Sequence, residues 1–208
     1  MKNFVVTIAR GYGSGGRTVG QMLAEKLGIP SYDTEIFKMA SEESGISEEL
    51  FGKNDEKLPN PFMQYTKGVY KGKIITPDKE DFVSSDNLFN LQASVIKRLA
   101  KEENCVIIGR CADYILKDYS NVLKVYIHAP LSSCVDTLLS LSSLTEKEAE
   151  KRILKIDKNR AKYYEHYTGR SWDNAHNYDL CLNTRDFTFE QCVDIIHNIV
   201  TTRFLNEK

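Results

Sequence analysis

Hydrophobic residues fall into two patterns along the chain. Short solid runs, at 4–9, 105–108 and around 123–127, suit strands covered on both faces, as in a parallel sheet. Between them, apolar positions recur at helical spacing. Val19, Met22, Leu23 and Leu27 predict a helix over 17–27 that stops at Gly28, and Leu88, Leu91, Val95, Ile96 and Leu99 predict another from Ser85. Further helices are expected at 34–44, closed by Gly45, near 112–116, at 131–141, from 145 to about 165 and from 188 to about 200. Short strands are expected at 29–33 and 178–183. Thr145-x-x-Glu148 and Thr188-x-x-Gln191 read as capping boxes, and Val193, Ile196 and Val200 as the buried stripe of the last helix. Residues 52–83 break the pattern: Gly52, Pro59, Pro61, Gly68, Gly72 and Pro77 predict an irregular, mobile segment. Alternating strands and helices make this an α/β chain of one domain, with a parallel sheet between two helix layers.

Composition narrows the function classes. The chain has 208 residues, with 28 Lys and Arg against 29 Asp and Glu, for a net charge of -1. That balance argues against a duplex nucleic-acid binder. No apolar run is long enough to span a bilayer, and the first run flows into a glycine-rich turn without a signal-peptide cleavage site, so a cytoplasmic protein without a membrane role is expected. The five cysteines have no C-x-x-C spacing, which fits small buried residues in a reducing compartment better than disulfides or zinc ligands. His128 and His176 lack ligand-like partners in sequence, and Tyr163, Tyr164, Tyr167 and Trp172 around His166 read mainly as packing groups.

The sharpest motif is Gly11-Tyr-Gly-Ser-Gly-Gly-Arg-Thr18, placed between a strand and a helix. A helix N-terminus offers unpaired N–H groups and the positive end of a dipole, and glycines let the backbone approach phosphate oxygens closely. Two templates fit. In G-x-x-x-x-G-K-[ST], Gly11, Gly16 and Thr18 match, with Arg17 in place of lysine. In G-x-G-x-x-G, Gly11, Gly13 and Gly16 match, with Asp33 near the distance of a ribose-binding acid. Arg17 keeps the charge of lysine but is planar and bidentate. Asp33 reads as a ribose, metal or loop-orienting group, or as a helix cap. Arg110 ends a buried strand, where α/β sheets bind ligands, and reads either as a contact for an anionic substrate or as a surface arginine at a strand end. Asp157 and Arg160 share a helix face at i,i+3, either as a surface ion pair or as charge at a phosphoryl-transfer site.

Taken together, VTIARGYGSGGRTVGQMLAEKLGIPSYD from Val6, CVIIGRCADYIL from Cys105, IDKNRAKYYEHYTGRSW from Ile156 and NYDLCLNT from Asn177 resemble the cytidylate kinase-like family, in that family's order and over most of the chain. The resemblance implies a P-loop nucleoside triphosphate hydrolase-like three-layer α/β/α fold, with a monophosphate-binding region at about 34–104 and a lid at about 131–165. It implies transfer of the ATP γ-phosphoryl group to a nucleoside monophosphate, CMP or dCMP, with Mg²⁺. Gly11, Gly13, Ser14, Gly15, Gly16, Arg17 and Thr18 would hold the donor phosphates, Thr18 the Mg²⁺, and Asp33 would match the acidic position after the second strand. Arg110 and Arg160 would take the acceptor phosphate side, and Asp157 would orient the nucleoside. The chain departs from cytidylate kinases at Arg17, at Cys111, where they carry Asp, and at 131–144, which lacks the usual lid arginines. These departures leave a second expectation: a nucleotide-binding regulatory protein with degraded kinase activity. A nicotinamide-dependent oxidoreductase is the weakest alternative, because nothing after residue 100 suggests a hydride-transfer site.

Overall fold

A computed structural model describes residues 3–58 and 67–206. Pro59 and Pro61 lie outside the described residues. Five strands are present: β1 (Val5–Arg10), β2 (Ser31–Tyr32), β3 (Cys105–Ile108), β4 (Val122–His128) and β5 (Leu180–Asn183). All pair in parallel, in the order β2-β3-β1-β4-β5. The solid apolar runs follow from burial on both faces. Val5, Cys105 and Ile107 enter one core cluster, whereas Val6, Ile8, Val106 and Ile108 enter the other.

The second of these clusters is covered by α1 (Gly16–Leu27) and α8 (Phe189–Val200). Gly20 lets α1 sit close, since a Cβ there would lie 3.0 Å from Ile108. The opposite face carries α2 (Glu35–Ser44), α4 (Ser85–Glu102), α5 (Ala112–Ile115) and the C-terminal half of α7 (Glu146–Thr168). Stacking of Phe89 on Tyr167, 3.8 Å between ring centroids, fixes α4 to α7. The predicted stripe of α4 is buried throughout. Both capping boxes form, at Thr145 and Thr188. Gly28 and Gly45 end α1 and α2 in the left-handed conformation that favours glycine.

Two differences from the expected elements matter. A short helix, α3 (Glu48–Lys53), precedes the irregular segment, whose breakers mask it in the sequence. Residues 67–79 hold neither helix nor strand, but they are tied to the core. Buried Asn87 accepts from Ile75 N–H at 2.7 Å and donates to the Ile75 and Phe82 carbonyls, and Val69 N–H donates to the His166 carbonyl at 3.2 Å. Helix α6 (Leu131–Leu141) packs with the start of α7 around Cys134, Val135, Leu138, Ala149 and Ile153, a small core separate from the sheet. No helix among the described residues is long and apolar enough to cross a membrane.

Candidate active site

The strand order places the site. The chain leaves β1 toward β2 at one edge and leaves β3 toward β4 on the other side, so a crevice opens between the carboxyl ends of β1 and β3. The classical dinucleotide order 3-2-1-4-5-6 is not this one, which removes the fold support for the G-x-G-x-x-G reading. At the crevice, β1 ends in Arg10 and β3 leads into Gly109 and Arg110.

The glycine loop turns tightly and leaves several of its amides without acceptors. Gly13 and Gly15 take φ of 83° and 76°, where L side chains are strained, and a Cβ at Gly15 would run into the Phe189 ring. Ser14 turns inward and donates from its hydroxyl to the Gly11 and Ile127 carbonyls at 2.8 and 3.1 Å. Among the described residues, the N–H groups of Gly13, Gly15, Gly16, Arg17 and Thr18 donate to no acceptor. They gather at the start of α1. Thr18 is exposed on the first turn of that helix. Its hydroxyl is a hard oxygen of the kind Mg²⁺ takes, and magnesium in phosphate sites draws most of its ligands from phosphate and water, so the position fits the ion without a protein cage. Among the described residues there is no cluster of three or more acidic, His or Cys side chains for a metal.

Opposite the loop, cations and carboxylates converge around a crevice of about 280 Å³. Arg17 is 59% exposed at its side chain and leans back, Nε 3.0 Å from Asp33 Oδ2. Arg110 is buried. Its Nη2 donates to Asp33 Oδ1 at 2.7 Å, its Nη1 pairs with Asp55, and its guanidinium lies 4.4 Å from the centre of the Phe37 ring. Burial lowers its pKa to about 10, against the pull of Asp33. Asp33 therefore orients arginines and does not cap α2, whose N-cap is Thr34.

Asp157 and Arg160 both face the loop. Asp157 Oδ1 accepts from Tyr12 N–H at 2.8 Å, and Arg160 Nη1 lies 3.6 Å from the same carboxylate. Burial raises the Asp157 pKa, while the Tyr12 amide and Arg160 lower it. Arg160 also donates from Nη1 to the Arg10 carbonyl at 3.2 Å and from Nε to Glu56 Oε2 at 2.7 Å. The structure thus gathers Gly11 through Thr18, Asp33, Arg110, Asp157 and Arg160 at one crevice.

Three participants, Arg10, Asp55 and Glu56, escaped the sequence reading. Arg10 is a buried guanidinium paired with Glu56. Burial works against its charge, but Glu56 outweighs this and raises its pKa. A cation ending an otherwise apolar strand was its signal. Asp55 and Glu56 follow α3 in a charged turn that carries no motif. Burial would raise the Glu56 carboxyl, yet Arg10 and Arg160 hold it at about 2. Arg152, on α7, lies 5.8 Å from the ring centre of Tyr12 and supplies a cation beside the loop, although α6 carries no arginine.

Tyr163, Tyr164 and Trp172 line a small cavity next to Arg10, Glu56, Arg110 and Arg160. Tyr163, Tyr164, His166 and Tyr167 are buried, and Tyr164 donates to Asp113 Oδ2 at 2.6 Å. Four cysteines are buried; Cys181 is exposed, contrary to expectation, and all five are free thiols.

Residues 5–186 match the cytidylate kinase-like family. The chain is similar to the cytidylate kinase of Methanosarcina barkeri, 26% identical over 193 residues that cover 92% of this chain and 93% of the relative. It is likewise 26% identical over 202 residues to the cytidylate kinase of Methanopyrus kandleri, covering 92% and 90%. Among solved structures, a protein from Eubacterium ventriosum superimposes with a TM-score of 0.71 at 24% identity, covering 97% of this chain and all of that one. A shikimate kinase from Bacteroides thetaiotaomicron does so with 0.54 at 14% identity, over 95% and 98%, and these likenesses are of fold. With a match over residues 5–186 and a parallel sheet of kinase type, the chain belongs to the cytidylate kinase-like family.

Proposed function

We propose that the protein transfers the γ-phosphoryl group of ATP to the phosphate of a nucleoside monophosphate, with CMP or dCMP as the acceptor. The observation that carries this reading is the facing arrangement at the crevice: unpaired loop amides at the start of α1 on one side, Arg110 and Arg160 on the other. Kinship with proteins named cytidylate kinase supports the choice of base.

In this mechanism the amides of residues 13–18 cradle the donor β- and γ-phosphates, and Arg17 adds charge as the γ group moves. An acceptor phosphate oxygen forms the new bond to the γ-phosphorus while the bond to the β–γ bridging oxygen breaks, and that electron pair leaves with ADP. Charge spreads over the transferring oxygens, so fixed cations lower the barrier. Arg110 and Arg160 hold the acceptor phosphate in line. Asp157 holds the loop through Tyr12 N–H and faces the acceptor nucleoside. Thr18 would hold the magnesium ion, which would further neutralise charge there.

A second reading, a nucleotide-binding regulator with little turnover, is favoured by one observation: Arg17 is turned onto Asp33 rather than over the loop. ADP release in the presence of ATP and Mg²⁺, measured for wild type and Arg17→Lys against a panel of nucleoside monophosphates, separates the two. Acceptor-dependent turnover in wild type that falls in Arg17→Lys supports an arginine-adapted kinase. Turnover appearing only in Arg17→Lys supports the regulator.

A further inference from the structure

Arg110 and Arg160, the proposed acceptor-side arginines, and Arg10 beside them are already paired with carboxylates. Arg10 from the end of β1 and Arg160 from α7 grip Glu56, and Arg110 from beyond β3 pairs with Asp55. The carboxylates come from the turn after α3, a segment that neither the glycine loop nor the sheet requires. The pairing is built in. Gly109 has φ of 75°, and a Cβ on it would collide with both Arg10 and Glu56, so the ion pair lies directly against bare backbone. Glu56 itself sits at φ of 46°, an unfavourable conformation for a residue with a side chain, and such strain persists only where the surroundings hold it. Two guanidinium groups on one carboxylate provide that hold. With Asp33 and Asp157 included, four carboxylates balance Arg10, Arg17, Arg110 and Arg160, which leaves the crevice without net charge.

Resting on the phosphotransferase reading, we infer that Asp55 and Glu56 are an internal stand-in for the acceptor phosphate: they occupy the arginines Arg10, Arg110 and Arg160, and a phosphomonoester must displace them to bind. A phosphate offers three oxygens to the same three guanidinium groups and fits planar, bidentate donors as well as carboxylates do. Arg10 and Arg160 hold the Glu56 carboxyl well below the usual carboxylate range, so it stays an anion until another anion takes its place. Displacement would move the turn after α3 away from the crevice, so acceptor binding and the position of that turn are one event. The arrangement also keeps the arginines neutralised, so they do not collect stray anions when no acceptor is present.

Calorimetric binding to the full chain tests this without reference to turnover. CMP, cytidine and inorganic phosphate are titrated into wild type, Asp55→Asn and Asp55→Asn/Glu56→Gln. Removing an internal competitor is expected to tighten CMP and phosphate binding by about tenfold or more in the double variant, with cytidine unaffected. The variant left with unbalanced arginines should also melt lower in plain buffer and regain more stability from phosphate than wild type does. Should the double variant not fold, Asp55→Asn, altered at a side chain that is 32% exposed, reads the same direction. Equal or weaker phosphate binding in the variants overturns the inference, since it makes Glu56 a support for the arginines rather than a rival. Tighter phosphate binding without any CMP binding keeps the inference and removes the acceptor reading.

Discussion

Gly15 offers a single-residue test of the proposed donor side. Its φ of 76° and the Phe189 ring beside it both demand the absence of a side chain. Gly15→Ala is therefore expected to cost about 1–3 kcal/mol of stability and to abolish the rise in melting temperature that ATP produces in wild type. An ATP shift of wild-type size in this variant would separate the loop from nucleotide binding. Asp113 allows a second residue-scale test. It is buried against Tyr164, and burial raises its pKa to about 6 from the ordinary 3.8, while the hydroxyl bond works the other way. A carboxyl shifted in this sense contributes its stability below the unfolded value and loses it as pH climbs through 6. The change amounts to roughly 3 kcal/mol. Asp113→Asn keeps an acceptor for Tyr164 and cannot ionise. Urea unfolding should show its stability gaining on wild type as pH rises from about 4 to about 7, and a constant gap would contradict this.

At the scale of elements, most of the fold was legible because pattern and propensity agree. The stripe of α4, the capping boxes of α7 and α8 and the glycine stops of α1 and α2 each appear where spacing places them. Helix α3 was not legible, since six residues give too little periodicity to stand out beside Gly52 and the prolines that follow. The partners of Arg110 were hidden for a different reason. Asp33 and Asp55 lie 77 and 55 residues away in sequence, and no local rule couples them. Helix α7 matters most to the site, because it carries Asp157 and Arg160 and is fixed by Tyr167 against Phe89. Phe89→Ala opens a cavity at that junction. It should lower stability by about 3–5 kcal/mol and weaken CMP binding more than ATP binding, because the loop amides belong to α1 rather than α7. Equal losses for both nucleotides, measured by calorimetry in the variant that remains folded, would mean that α7 does not serve the acceptor side separately.

For the whole molecule, the parallel sheet and its two helix layers followed from alternation, but the strand order did not, because it depends on which strand crosses which. That order brings Arg10 and Arg110 to neighbouring strand ends, and the long reach of α7 adds Arg160 from above. The result is one crevice in which the glycine loop faces Arg110 and Arg160, and on the proposed function phosphate moves across it. The most direct measurement is transfer of γ-labelled phosphate from ATP to CMP, followed chromatographically, in wild type and Arg110→Ala at matched folded concentration. Labelled CDP is expected from wild type, with a loss of at least about a hundredfold in kcat/KM for Arg110→Ala while ATP binding is retained. Labelled CDP formed equally well by Arg110→Ala, or no labelled diphosphate from any nucleoside monophosphate while ATP binds, would contradict the proposed function.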